Sequence, residues 1–280
     1  MGRVTSPSAA VAIVALASAG MLFPDTVPSA AAAVPASGRS THSVAAKVSR
    51  TLTATSSSKT STPAPRSETV RVGTSVQGRA IVAYHRWTPG SKKRVLAIGN
   101  MHGDEKAGLR VIDRLRKEKV PANVDLWLIP TVNPDGTKAN TRVNARKVDL
   151  NRNFAYRWRY ANRGDRHYSG PKRLSEPESR ALMAFTQKVK PRSIIVFHQP
   201  LNGVDNSEPK SAKTLARPLA KAMGLPLKPF RCWSVCRGNY TAWANAKTSA
   251  RAITVEFAHK ASRKQTDRAA RAVLSVGSRY

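Results

Sequence analysis

Three short apolar runs, "RVLAIGN", "SIIVFH" and "AITVEF", constrain this chain more than any other feature. Each has the length and apolar density of a strand buried on both faces, and none is long enough for an ordinary helix. The segments between them carry apolar residues at helical spacing. Leu109, Ile112 and Leu115 mark one helix between about Glu105 and Lys119. "SEPESRALMAFTQKV" opens with Ser175, Pro177 and an acidic first turn, all helix-start signals. "SAKTLARPLAKAMG" reads as a helix broken or kinked at Pro218, and "ASRKQTDRAARAVLSV" as a final helix. "VDLWLIP" adds a strand, and "TVRVGTSVQGRAIVAYHRW" is a hairpin signal. Strands alternating with helices predict an α/β fold with a mostly parallel sheet covered by helices.

The three runs share a second property, because each delivers a polar residue at or just past its end. These are His102, His198 and Glu256. In open α/β sheets, ligand sites gather at the carboxyl ends of the strands. Glu105 lies three residues after His102, so both side chains can reach one point from a loop entering a helix. Two histidines and a glutamate are a normal zinc donor set that leaves a fourth position open, as in catalytic sites. A His-x-x-Glu pair is weak alone, and so is a histidine ending a buried strand. Their combination carries the weight.

The stretch from Thr131 to Phe154 contains the turn former "NPDG" and then "VDLNRNF", with Asn151 and Arg152 held between Leu150 and Phe154. A planar guanidinium beside an amide suits bidentate capture of a carboxylate. The other arginines of this loop read equally well as a solvated basic surface.

The N-terminus predicts export. Arg3 precedes an uncharged, mostly apolar run from Ala9 to Phe23, and small residues suited to cleavage stand near Ala33. The run is too short for a stable membrane span. Residues 1–33 are therefore expected to be a signal peptide. Residues 34–67, rich in Ala, Ser, Thr and Pro, form a tether with little to bury, and 68–280 form the catalytic domain. In an exported chain Cys232 and Cys236 are expected to pair as a disulfide. With 48 Lys+Arg against 16 Asp+Glu, the +32 charge favours anionic partners such as wall polymer. Export argues against nucleic acid as the physiological one.

In chain order, "SVQGR", "HGDE", "NPDG", "VDLNRNF", "YSGP" with "SEPE", "FHQP" and "TVEF" resemble the zinc carboxypeptidase family over about Val70 to the C-terminus. The resemblance implies a mixed sheet of eight strands flanked by helices and one zinc ion held by His102, Glu105 and His198. It also implies Glu256 as general base and Asn151 and Arg152 as the grip on a substrate carboxylate. Arg142 would polarise the scissile carbonyl, with Arg146 as the reserve, and Thr241 stands where side-chain preference is set. The short spacings and "HQPLNGVD" look like the compact bacterial branch that includes murein peptide amidases. Those enzymes cut between D-glutamate and meso-diaminopimelate in wall peptides. The nearby Arg237 is a candidate contact for an additional substrate carboxylate. The expected activity is thus that of a secreted, monomeric zinc metallopeptidase acting beside a free carboxylate. The alternatives are an N-acyl amino acid deacylase and a non-catalytic binder of anionic wall polymer.

Overall fold

The computed structural model describes residues 63–207, 210–230 and 236–280. The expected signal peptide, nearly all of the tether and Cys232 lie outside them. Eight strands form one mixed sheet in the order β1-β2-β4-β3-β5-β8-β6-β7. The antiparallel pair β1 (Arg66–Thr74) and β2 (Ala80–Trp87) forms one edge, so the first strand begins two residues before the expected domain start. β4 (Val124–Ile129), β3 (Lys93–Ile98), β5 (Ser193–His198) and β8 (Arg251–Glu256) run parallel through the centre. Two very short strands, β6 (Gly203–Asp205) and β7 (Leu227–Lys228), complete the other edge.

The strand period of two separates two cores. Val95 and Ala97 of β3 face a cluster that includes residues of α1 (Ala107–Leu115), α4 (Lys210–Met223) and α6 (Arg263–Gly277). Leu96 and Ile98 face the opposite side, against α3 (Pro177–Val189) and α5 (Tyr240–Lys247). This two-sided burial is why the central strands read as unbroken apolar runs rather than as an alternation.

Local chemistry fixes the helix ends. Ser262 and Gln265 make a capping box at the start of α6, Asn239 caps α5 through the amide of Ala242, and Asn133 caps the short α2 (Pro134–Ala139) through the amide of Gly136. α3 begins at Pro177 as its start signals predict, but Ser175 is not its cap; its hydroxyl donates to Glu176 instead. α1 is shorter than the expected span from about Glu105 to Lys119, ending at Leu115, the last residue of its apolar pattern, and α4 runs through Pro218 without a break. None of the helices among the described residues is long and apolar enough to cross a membrane.

Candidate active site

The parallel strands β5 and β8 are in register at their carboxyl ends, where His198 pairs with Glu256. Neighbouring β3 ends four residues before His102. The intervening turn is compact because Gly108, at the start of α1, packs directly on the backbone of Gly99, where any Cβ would collide. His102 and Glu105 are thereby set beside the ends of β5 and β8.

The ligand-type atoms of His102, Glu105 and His198 lie within 4.8 Å of one another, and all three residues are buried. The Nδ1 atoms of the two histidines stand 3.2 Å apart, each within hydrogen-bond reach of a different oxygen of Glu105, at 2.7 and 2.8 Å. Two imidazole nitrogens and a carboxylate converging on one point suit a divalent metal of the zinc class. The other nitrogen of His102 faces Asp149 Oδ1 at 3.0 Å. A carboxylate at the far nitrogen fixes the imidazole in one tautomer and orientation, as a metal-binding histidine requires. Asp149 Oδ2 receives two hydrogen bonds from Arg142, while the Oδ1 that faces His102 also accepts from the amide of Asn151. One buried carboxylate therefore ties together the metal-type cluster, Arg142 and the Asn151–Arg152 turn.

The electrostatics follow from this packing. Burial works against a charged His102, but Glu105 and Asp149 outweigh it and raise its pKa to about 9. Burial would likewise raise Glu105, yet the two histidines hold it well below the usual carboxylate range. Glu256 goes the other way. Burial raises its pKa, only partly offset by His198, and the amide of Leu201 donates to it.

A pocket of about 400 Å³ opens over these groups, lined among others by Arg142, Asn151, Arg152, Thr241 and Glu256. Arg152 is buried, with one guanidinium nitrogen donating to the Asn151 carbonyl and another 3.5 Å from Cys236 Sγ, and its Nε has no partner. Asn151 accepts from the amide of Tyr240. The turn carrying both residues is backed by Gly238, whose positive φ and close approach to the Arg152 carbonyl leave no room for a Cβ. Cys236 is disulfide-bonded.

Of the two arginines proposed near the carbonyl, only Arg142 is brought to the cluster. Arg146 is 56% exposed, lies 3.8 Å from Glu176 and does not line the pocket. The fold around Asn144 separates them. Its side-chain oxygen accepts from the amides of Arg146 and Val148, while its amide donates to Glu176 and Glu178. The chain turns there, with Arg142 inward and Arg146 outward. Tyr240 is fully buried, with its hydroxyl against Thr186, and is not a pocket residue. Asp149 and Asp205 are functional candidates that sequence reading missed. Asp205 lines the pocket, while Asp149 lies behind it. The sole signal for Asp149 was an acid beside two apolar residues in "VDLNRNF".

Comparison with known proteins agrees with this architecture. The zinc carboxypeptidase family profile matches residues 57–201. Murein peptide amidase A of Escherichia coli strain K12 is 31% identical over 201 residues, covering 66% of this chain and 81% of the relative. The Vibrio campbellii protein of the same name is 30% identical over 179 residues, covering 60% and 70%. Among solved structures, murein-tripeptide amidase from Escherichia coli O157 superposes with a TM-score of 0.61 at 26% identity, over 75% of this chain and 91% of that one. Carboxypeptidase A from Helicoverpa armigera gives 0.64 at 20% identity, over 76% and 68%, a likeness of fold.

Proposed function

From the premise that the chain belongs to the zinc carboxypeptidase family of hydrolases, we propose that it is an exported enzyme of cell-wall peptides. On this reading it hydrolyses the amide joining the γ-carboxyl of D-glutamate to meso-diaminopimelate. The observation that carries the proposal is the meeting of His102, Glu105, His198 and Glu256 with Asn151 and Arg152 around one pocket. The relatives named as murein peptide amidases support the substrate class. The apolar N-terminal run and its small-residue cleavage region support export.

His102, Glu105 and His198 would hold the metal. A bound zinc supplies a Lewis acid and makes a water nucleophilic near neutral pH. Glu256, held at the pocket wall by the Leu201 amide, takes the proton of the attacking water and delivers it to the leaving nitrogen. Its raised pKa suits a group that must both accept and return a proton. Arg142, held by Asp149 with Nη1 directed to the His102–Glu105 cluster, would stabilise the oxyanion that develops there. Asn151 and Arg152 orient the substrate by its free carboxylate, which sets the amide next to a chain end in place.

The test is digestion of purified wall peptides, read by mass spectrometry, with Glu256→Gln as control. The wild type is expected to release diaminopimelate-containing products and to hold about one zinc per chain. Glu256→Gln should keep the metal and lose roughly 10²–10⁴-fold in rate. Undiminished hydrolysis by this variant would sink the assigned role.

A further inference from the structure

A second recess of about 190 Å³ lies beside the catalytic pocket and shares Arg152 and His167 with it as walls. Its remaining lining includes Arg159, Arg237, Tyr160 and a single acid, Asp165. Asp165 is turned toward His167, accepting from its backbone amide at 2.8 Å. Arg166 reaches the catalytic pocket from the same loop. Among the described residues, none of Arg159, Arg166 and Arg237 stands in an ion pair or a hydrogen bond with a carboxylate. Arg152, buried between the two recesses, has an unpartnered Nε. Three guanidinium groups, of Arg152, Arg159 and Arg237, thus line a space whose one carboxylate already accepts from a backbone amide, and Arg166 adds a fourth at the catalytic side.

The walls are built rather than merely exposed. The arginine-bearing loop is fastened to the floor of the site, where the amide of Asp149 donates to the Tyr168 carbonyl and Asn153 donates to the Ser169 carbonyl. Trp158 donates to the same Ser169 carbonyl, and the amide of Ala161 to its hydroxyl. On the other side, Arg237 stands between disulfide-bonded Cys236 and Gly238, whose carbonyl accepts from the amide of Phe154. Both arms carrying the free arginines therefore lock onto residues 149–154, the segment that holds Arg152.

We propose that this recess is a second anion subsite that receives the distal carboxylate of the leaving residue, so that the enzyme selects a leaving residue bearing two carboxylates. This deepens the functional reading above and rests on it. One carboxylate of the residue sits at Arg152 and Asn151, and the other extends past Arg152 to Arg159 and Arg237. Lysine has the same chain with one carboxylate fewer than diaminopimelate, so it fills the first site and leaves the second empty. The recess thus distinguishes two leaving residues of equal length and equal ammonium content by charge.

The experiment compares γ-D-glutamyl-meso-diaminopimelate with γ-D-glutamyl-L-lysine as substrates for the full protein and for the double variant Arg159→Gln/Arg237→Gln. Both arginines are exposed, so the fold should survive. The wild type is expected to favour the diaminopimelate peptide by roughly tenfold in kcat/KM, chiefly through KM. The double variant should lose that preference by falling on the diaminopimelate peptide alone. Equal use of both peptides by the wild type, or a preference that survives the double substitution, overturns the subsite. If neither peptide is cleaved, the γ-glutamyl reading fails, and calorimetric binding of free meso-diaminopimelate against free L-lysine still decides the subsite. A roughly tenfold advantage for the diacid that disappears with Arg159 and Arg237 upholds it; equal binding overturns it.

Discussion

Two buried histidines of this molecule, His102 and His85, have nearly the same immediate partners and opposite prospects. His102 faces Glu105 and Asp149 through its two ring nitrogens. His85, on β2, faces Glu68 at 2.9 Å and Asp125 at 2.7 Å. The difference lies in the next layer. Nδ1 of His198 stands 3.2 Å from Nδ1 of His102, and the cluster opens into the substrate pocket. His85 is instead stacked between Trp87 and Trp127, at ring separations of 3.9 and 3.6 Å, with Arg94 completing the charge on Asp125. Two carboxylates around a histidine suit a metal only when a second imidazole donor and an open face join them.

The strongest way to break this comparison is to remove the donor that distinguishes the two sites. His198→Ala should lower metal affinity more than the 10–100-fold typical of an outer-shell change and abolish hydrolysis. Metal titration with a competing chelator reads the first effect. Retention of stoichiometric zinc under moderate chelation would mean that the cluster is a buried polar network like that of His85.

Asp149→Asn comes next, because it keeps the shape while deleting the charge behind His102 and exchanging one of two acceptor oxygens for a donor. Metal affinity is expected to fall roughly 10–100-fold. Hydrolysis should fall with it even at saturating metal, since Arg142 loses the carboxylate that orients it. A variant that matches the wild type in both measurements would reduce Asp149 to a turn-capping residue.

The legibility of the site divides along the same line. His102, Glu105, His198 and Glu256 could be found because apolar strands deliver them to one edge, and the strand pattern is written locally. Asp149 could not, because its meaning comes from a residue 47 positions away in the chain. Arg142 stands ahead of Arg146 in the sequence only through the family resemblance, whereas the long-range bonds of Asn144 to Glu176 and Glu178 separate the two in space. In the fold, the central strands and their helices were readable from period and length. β6 and β7, with three and two residues, carry too little pattern to see. α5, only eight residues long, carries too few turns for a helical period to stand out.

A third prediction uses the charge balance at His102. Without metal its pKa is raised to about 9, so at neutral pH a proton occupies the nitrogen that a metal would take on the proposed reading. Metal binding should therefore release a proton, and apparent affinity should rise by up to about tenfold per pH unit until the pH reaches about 9. Asp149→Asn removes one of the two carboxylates that raise this pKa, so the rise should level off at lower pH. Calorimetry in buffers of different ionisation enthalpy counts the protons. A pH-independent affinity from pH 6 to 9 would contradict the placement of His102 as a ligand.

The smallest effect on activity should come from His85, where the comparison is sharpest. His85→Ala removes two hydrogen bonds to carboxylates and opens a gap between the stacked indoles of Trp87 and Trp127. Glu68 is half exposed and regains water, so its loss costs little, whereas Asp125 is 15% exposed and keeps only Arg94. The variant should lose about 2 kcal/mol of stability, read as a lower denaturant midpoint with an unchanged slope. Metal content and kcat/KM should stay within about twofold of the wild type, because β1 and β2 form the sheet edge remote from β5 and β8. A loss of metal in this variant would mean that the edge and the site are coupled through β4 and β3, and that the two histidines do not act independently.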